Sequence, residues 1–110
     1  MTVIATVFIP AKTAEAVQTA QYASVGTAII DKFTATNYSA APAVISVNLV
    51  TAGGSAGNDN VITKTKRLQP SEVYTFPEIV GQVLLVGGII STIAGTASAI
   101  NIRASGREIT

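Results

Sequence analysis

Apolar side chains recur at every second position through most of this chain, a period that fits strands and not helices. The run from Ala43 to Val50 shows it most clearly, with Ile45, Val47 and Leu49 on one side and Ser46 and Asn48 on the other. The same signal predicts strands over residues 3–9, 27–36, 61–68, 89–94 and 99–105, a weak one over 18–25 and a short one over 73–76. Turn residues separate them: Gly26, the run Asn37-Tyr38-Ser39-Ala40-Ala41-Pro42, the loop Thr51 to Asn60, and Gln69-Pro70-Ser71-Glu72. Pro77 can open a helical turn, and residues 77–84 are expected to form about two turns. Residues 12–16 read as a short polar linker, and Gly106 as a kink before the last four residues.

About eight short strands at regular spacing, with turn chemistry between them, predict an all-β fold. The expectation is a single domain over residues 1–110, an antiparallel β-sandwich of jelly-roll type. One strand resists a simple reading. Residues 27–36 put Ile29, Asp31, Phe33 and Ala35 on one face and Ile30, Lys32 and Thr34 on the other, so each face mixes apolar and charged groups.

The residue types narrow the function. The chain has no His, Cys or Trp, although 48% of it is hydrophobic. The commonest general base, the thiol nucleophile and the usual nitrogen and sulfur metal ligands are therefore missing. Serine has no histidine to activate it within the chain, and no Ser-x-x-Lys motif occurs. The six carboxylates, Glu15, Asp31, Asp59, Glu72, Glu78 and Glu108, show no pairing pattern of the kind a glycosidase needs. The expectation is a protein that is not an enzyme and takes no cofactor.

Charged residues make up 12% of the chain, about half the usual share, and the net charge is +1. No global field favours nucleic acid or an anionic membrane. Residues 79–102 carry no charge and are long enough to span a bilayer, but Gly81, Gly87, Gly88, Gly95 and several polar residues argue against a transmembrane helix. Residues 1–10 lack the basic start of a signal peptide. A neutral, apolar-rich surface suits an assembly in which partners cover much of it, so a homo-oligomer is expected.

Two groups are candidate partner contacts. Lys64, Lys66 and Arg67 form the densest basic cluster. They could meet nucleic acid, an acidic partner or a neighbouring subunit, or simply guard an edge strand against unwanted pairing, which the lack of interleaved aromatics favours. Asn58 and Asp59 lie in the Gly-rich loop, which lacks the Lys-Ser/Thr ending of a phosphate loop and has one carboxylate, thin provision for calcium. That loop reads as an exposed, flexible hairpin tip. With Tyr38 or Tyr74 it could also form a carbohydrate- or receptor-binding face.

Several segments carry a resemblance. They are Thr36-Asn37-Tyr38-Ser39-Ala40-Ala41-Pro42 with the strand to Val50, Leu68-Gln69-Pro70-Ser71-Glu72 with the residues to Glu78, Val80-Gly81, Val83-Leu84, and the ending Ala104-Ser105-Gly106-Arg107-Glu108-Ile109. Together they resemble small β-sandwich virion proteins of tailed bacteriophages. In that group an Asn-x-Ser-x-x-Pro turn leads into an alternating strand, and a Pro-Ser/Gly-Glu turn leads into a short strand and a helical turn. A Gly-Asp pair often precedes the next strand, and this chain has Gly87-Gly88 there. The resemblance implies a capsid decoration or cement protein that binds the major capsid protein or other virion proteins. It equally covers collar, neck, tail or fibre accessories. Such a protein would be made in the bacterial host cytoplasm and end in the virion.

Overall fold

The computed structural model describes residues 1–110 and contains nine strands and no helix. They are β1 (Val3–Thr13), β2 (Thr19–Ala23), β3 (Thr27–Asn37), β4 (Ala43–Val50), β5 (Val61–Leu68), β6 (Val73–Tyr74), β7 (Val83–Leu84), β8 (Ile89–Ala94) and β9 (Ile100–Ile109). One sheet runs β1-β9-β3-β6, with β7 also on β3, and the other runs β2-β8-β4-β5. Every pairing is antiparallel. β1 pairs with β9, β2 with β8, β3 with β6 and β4 with β5, as though one long hairpin were wrapped across two sheets. This is the double Greek-key order of a jelly roll.

The core lies between the sheets. Ile30, Phe33, Ile100 and Ile102 enter from the first sheet, and Ile45, Val47, Leu68 and Ile90 from the second, all at most 1% exposed. Phe33 and Phe76 pack with ring centroids 4.6 Å apart, and Tyr74 packs on Phe76 at the same distance. Toward the other end Phe8 and Tyr22 form a second pair at 4.5 Å. Phe76 holds a φ of 48° with its side chain fully buried, so aromatic packing offsets a backbone conformation costing about 1–3 kcal/mol.

Bulges correct the simple alternation. In β3 the register on β9 shifts between Ile30 and Lys32. Ala28 and Ile30 are buried before the shift, and Phe33, Ala35 and Asn37 after it. The strand therefore changes which parity faces inward, which is why neither face read as cleanly apolar. β5 does the same: Thr63 and Leu68, of opposite parity, are both buried, and Thr65 sits at φ 47° between them.

Other expectations also shift. β1 runs on to Thr13 instead of ending in a linker at Lys12. Residues 77–84 make one helical turn, with Ile79 and Val80 amides donating to the Phe76 carbonyl, not two. Gly81, at φ 91°, ends that turn, and its amide donates to Ile30 O at 2.7 Å, which returns the chain to β3 as β7. Gly106 is not a kink. β9 continues through it to Ile109, and the missing side chain admits the Ile29 carbonyl and the Phe8 ring. Residues 79–102 are spread over turns, β7, β8 and the start of β9, and no helix is long and apolar enough to cross a membrane.

Candidate interaction surfaces

Strand direction sorts the loops into two ends. The end of β3 lies with the starts of β4 and β9, the end of β8 and the Asn37 turn. The start of β3 lies with the end of β9, the start of β8, β7 and the chain termini, where Thr2 and Thr110 exchange backbone hydrogen bonds at 2.9 and 3.0 Å. The molecule is 46 Å long.

The terminal end is apolar. Val25, Val83, Leu85 and Val86 are 75%, 52%, 71% and 64% exposed there. The 85–88 turn is fixed by Gly87 N donating to Ser24 O and Ser24 N donating to Gly88 O, each 2.8 Å. Gly87, at φ 80°, leaves no room for a side chain, because an added Cβ would stand 2.9 Å from that of Ala52. Between this turn and the end of β4 lies an open groove of about 370 Å³, walled by Leu49, Val50, Val83, Leu84, Leu85 and Val86. The sequence contained a sign of it. Val83-Leu84-Leu85-Val86 is four apolar residues in a row, and a period of two can bury only alternate ones; Leu84 alone is buried.

The basic cluster lies on β5, the outer strand of the second sheet. Its members do not converge. Lys64 Nζ donates to Asn58 Oδ1 at 3.3 Å, so the strand and the loop meet there. Lys66 Nζ lies 4.7 Å from the centre of the Tyr74 ring, a cation–π contact. Arg67 follows on the opposite face and is exposed, as is Asp59 in the loop.

That loop is anchored, contrary to its flexible composition. Asn60 Oδ1 accepts from Asn48 Nδ2 at 2.7 Å and from Gly57 N at 3.0 Å, while Asn60 Nδ2 donates to Ser55 O at 2.8 Å. Asn48 also donates to Gly57 O at 2.9 Å. The loop therefore folds back over β4 and buries Asn48, which alternation had placed outside. The loop leaves β4 at its terminal end, whereas Tyr38 follows β3 at the opposite end and Tyr74 pairs with Ala35 near that end. The loop and the tyrosines do not form one face.

Polar contacts hold five of the six carboxylates, all but Asp59, individually. Glu78 accepts from Tyr74 OH at 2.6 Å and from Thr63 Oγ1, bridging the two sheets beside Lys66. Burial opposes ionisation of Glu78, but these hydrogen bonds outweigh it and keep the carboxyl below its usual range. The same bond, aided by burial, pushes Tyr74 up to about 12. Lys12 donates to Glu15 at 2.8 Å, and with Gln21 it lowers the Glu15 pKa. Arg107 binds Asp31 through two 3.0 Å bonds, which raise the Arg107 pKa. Tyr22 OH donates to Glu108, and Gln69 N to Glu72. These contacts tie strands and turns together; none sets two carboxylates across a cleft.

No family model matches this chain, and comparisons with curated proteins and with solved structures give no match.

Proposed function

We propose that this chain is a virion structural protein of a tailed bacteriophage that decorates the assembled head and cements it. The observation that carries the reading is the apolar terminal end, where Val25, Val83, Leu85 and Val86 stand exposed on β7 and on turns held by backbone hydrogen bonds. A cluster of exposed apolar side chains on a fixed frame is a surface to be covered. The phage-like segments supply the partner class: the major capsid protein, or another virion protein where the shell meets the neck.

The mechanism is linkage. A protein that binds the assembled shell and not its loose subunits stabilises the shell by mass action. Fully burying a side chain such as Leu85 contributes about 1.5–3 kcal/mol, so one contact is modest. Repetition over a symmetric lattice multiplies it.

The experiment compares particles made with and without this protein. The reading expects hundreds of copies per head, and earlier release of DNA on heating when the protein is missing. A dozen or so copies in one ring would move it to the collar or neck. Equal heat resistance of the two particle types would refute cementing.

A further inference from the structure

The four outer edges of the two sheets are not alike. β5 carries Lys64, Lys66 and Arg67 and a bulge at Thr65. β2 is five residues long with a register shift after Ala20. β6 and β7 are two residues each, separated by the Pro77 turn. Charges, bulges and shortness are the usual ways an edge is kept from pairing with another chain. β1 shows them only in its second half, which has Pro10, Lys12 and the register shifts after Val7 and Ile9. From Val3 to Val7 it is regular, uncharged and, apart from Ala5, β-branched, with Val3, Ile4 and Val7 55%, 51% and 47% exposed.

The phase of the free backbone groups follows from the ladder. Thr2 and Thr110 exchange both hydrogen bonds, so they form a bonded pair. Bonded and non-bonded pairs alternate along an antiparallel ladder. With the register Val3↔Ile109 to Val7↔Ser105, Ile4 and Thr6 are therefore bonded to β9. The N–H and C=O groups of Val3, Ala5 and Val7 point away from β9, toward the open side.

From this geometry we propose that residues Val3–Val7 of β1 are the dimerisation edge of the protein, pairing antiparallel with the same residues of a second copy about a two-fold axis at Ala5. Only a register centred on Ala5 uses all three free residues: Ala5 faces Ala5 of the other copy, and Val3 faces Val7. Ile4 then faces Thr6. A two-fold sets the strand against its own sequence, so a strand with charges of one sign would repel its copy, and this one carries no charge. The β1-containing sheets of the two copies join into one continuous sheet across the axis. The pairing is independent of the virion reading, since it holds or fails for the purified protein alone.

The test uses the whole chain and its lack of cysteine. Opposed residues of a bonded pair have Cα atoms about 5.5 Å apart, within disulfide reach. Under mild oxidation Ala5→Cys should give a covalent dimer. Val3→Cys alone should not, because the two copies of residue 3 stand about 14 Å apart in this register; Val3→Cys with Val7→Cys should crosslink. Light scattering should give twice the chain mass for the native protein and the single chain mass for Ala5→Pro. Proline there removes only a free N–H, so the fold should persist by circular dichroism. Ala5→Lys, which sets two like charges together, is the second variant if Ala5→Pro does not fold. A monomeric native protein, a dimer that survives both substitutions, or crosslinking through residue 3 alone would overturn the proposal.

Discussion

The side-chain amide of Asn37 donates to the carbonyl of Leu68, 31 residues further along the chain, at 3.0 Å and wholly out of contact with water. The same amide donates to Ala41 O at 2.8 Å, and its oxygen accepts from Ser39 N at 2.9 Å and Ser39 Oγ at 2.7 Å. One residue thus closes the turn before β4 and ties it to the end of β5. Asn37→Ala should cost about 2–4 kcal/mol, because it takes a donor from the buried Leu68 carbonyl and removes the acceptor that holds Ser39. Asn37→Asp should cost at least as much, since a carboxylate would face the carbonyls of Leu68 and Ala41. Urea unfolding of both variants checks the order; a loss under about 0.5 kcal/mol for either would show the turn to be self-supporting.

Gly106 allows β9 to pass where a side chain would collide. An added Cβ would lie 2.0 Å from Ile29 O, 2.7 Å from Phe8 Cε2 and 3.0 Å from Asp31 N. Two of these are backbone atoms, which cannot rotate away. Gly106→Ala should therefore cost about 3 kcal/mol or more, measured by the shift in thermal midpoint.

The bulge that Gly106 faces also marks how far the sequence could be read. Regular alternation in residues 43–50 and 89–94 located β4 and β8 to the residue. The turns at Asn37 and Pro70 were equally legible, because Asn, Pro and Gly act locally. The sandwich and its jelly-roll type followed from strand number and spacing. What alternation could not carry was a change of phase. The inserted residues near Asp31 and Thr65 are fixed by partners far along the chain, Gly106 and Ser46, whose Oγ accepts from Thr65 N at 2.8 Å. The buried Asn48 likewise depends on Asn60 folding back over it. The basic cluster was found on an outer strand, whereas the apolar end was not singled out: the run Val83 to Val86 hints at it, but exposure on a turn leaves no periodic trace.

Ser71 occupies the third position of the turn from Gln69 to Glu72, where Glu72 N donates to Gln69 O at 3.0 Å. Its φ is 65°, a left-handed value glycine adopts freely. Ser71→Gly should raise stability by about 0.5–1 kcal/mol, the strain relieved less the extra chain entropy of glycine. A lower thermal midpoint would mean that the serine makes up for its backbone by another route.

The Tyr74–Glu78 pair makes stability depend on pH at both extremes. Tyr74 is raised in the folded state, so its contribution is complete below the ordinary tyrosine value of 10.0 and is lost as pH climbs toward about 12. Glu78 and Glu15 are lowered, so their contributions are complete above the ordinary carboxylate value of 4.5 and are lost as pH falls below it. Ultraviolet titration should show Tyr74 ionising late, toward about 12, and Glu78→Gln should bring it back toward the ordinary value. The same substitution should cost about 1 kcal/mol at neutral pH, as expected for a partly exposed charged hydrogen bond. A tyrosine titration left unchanged by Glu78→Gln would contradict the pairing.

Leu85 and Val86 offer a separation of folding from docking. Both side chains stand in solvent on a turn whose fixed points are backbone groups of Ser24, Gly87 and Gly88. Replacing them with Asp should change stability by less than about 0.5 kcal/mol, as for other surface positions. On a shell these residues would be buried, and an unpaired carboxylate there carries a heavy desolvation cost. Leu85→Asp with Val86→Asp should therefore fold normally, yet fail to co-sediment with heads stripped of the native protein and fail to restore their heat resistance. Co-sedimentation equal to that of the native chain would place the docking surface elsewhere on the molecule, and the exposed basic face of β5 would be next to examine.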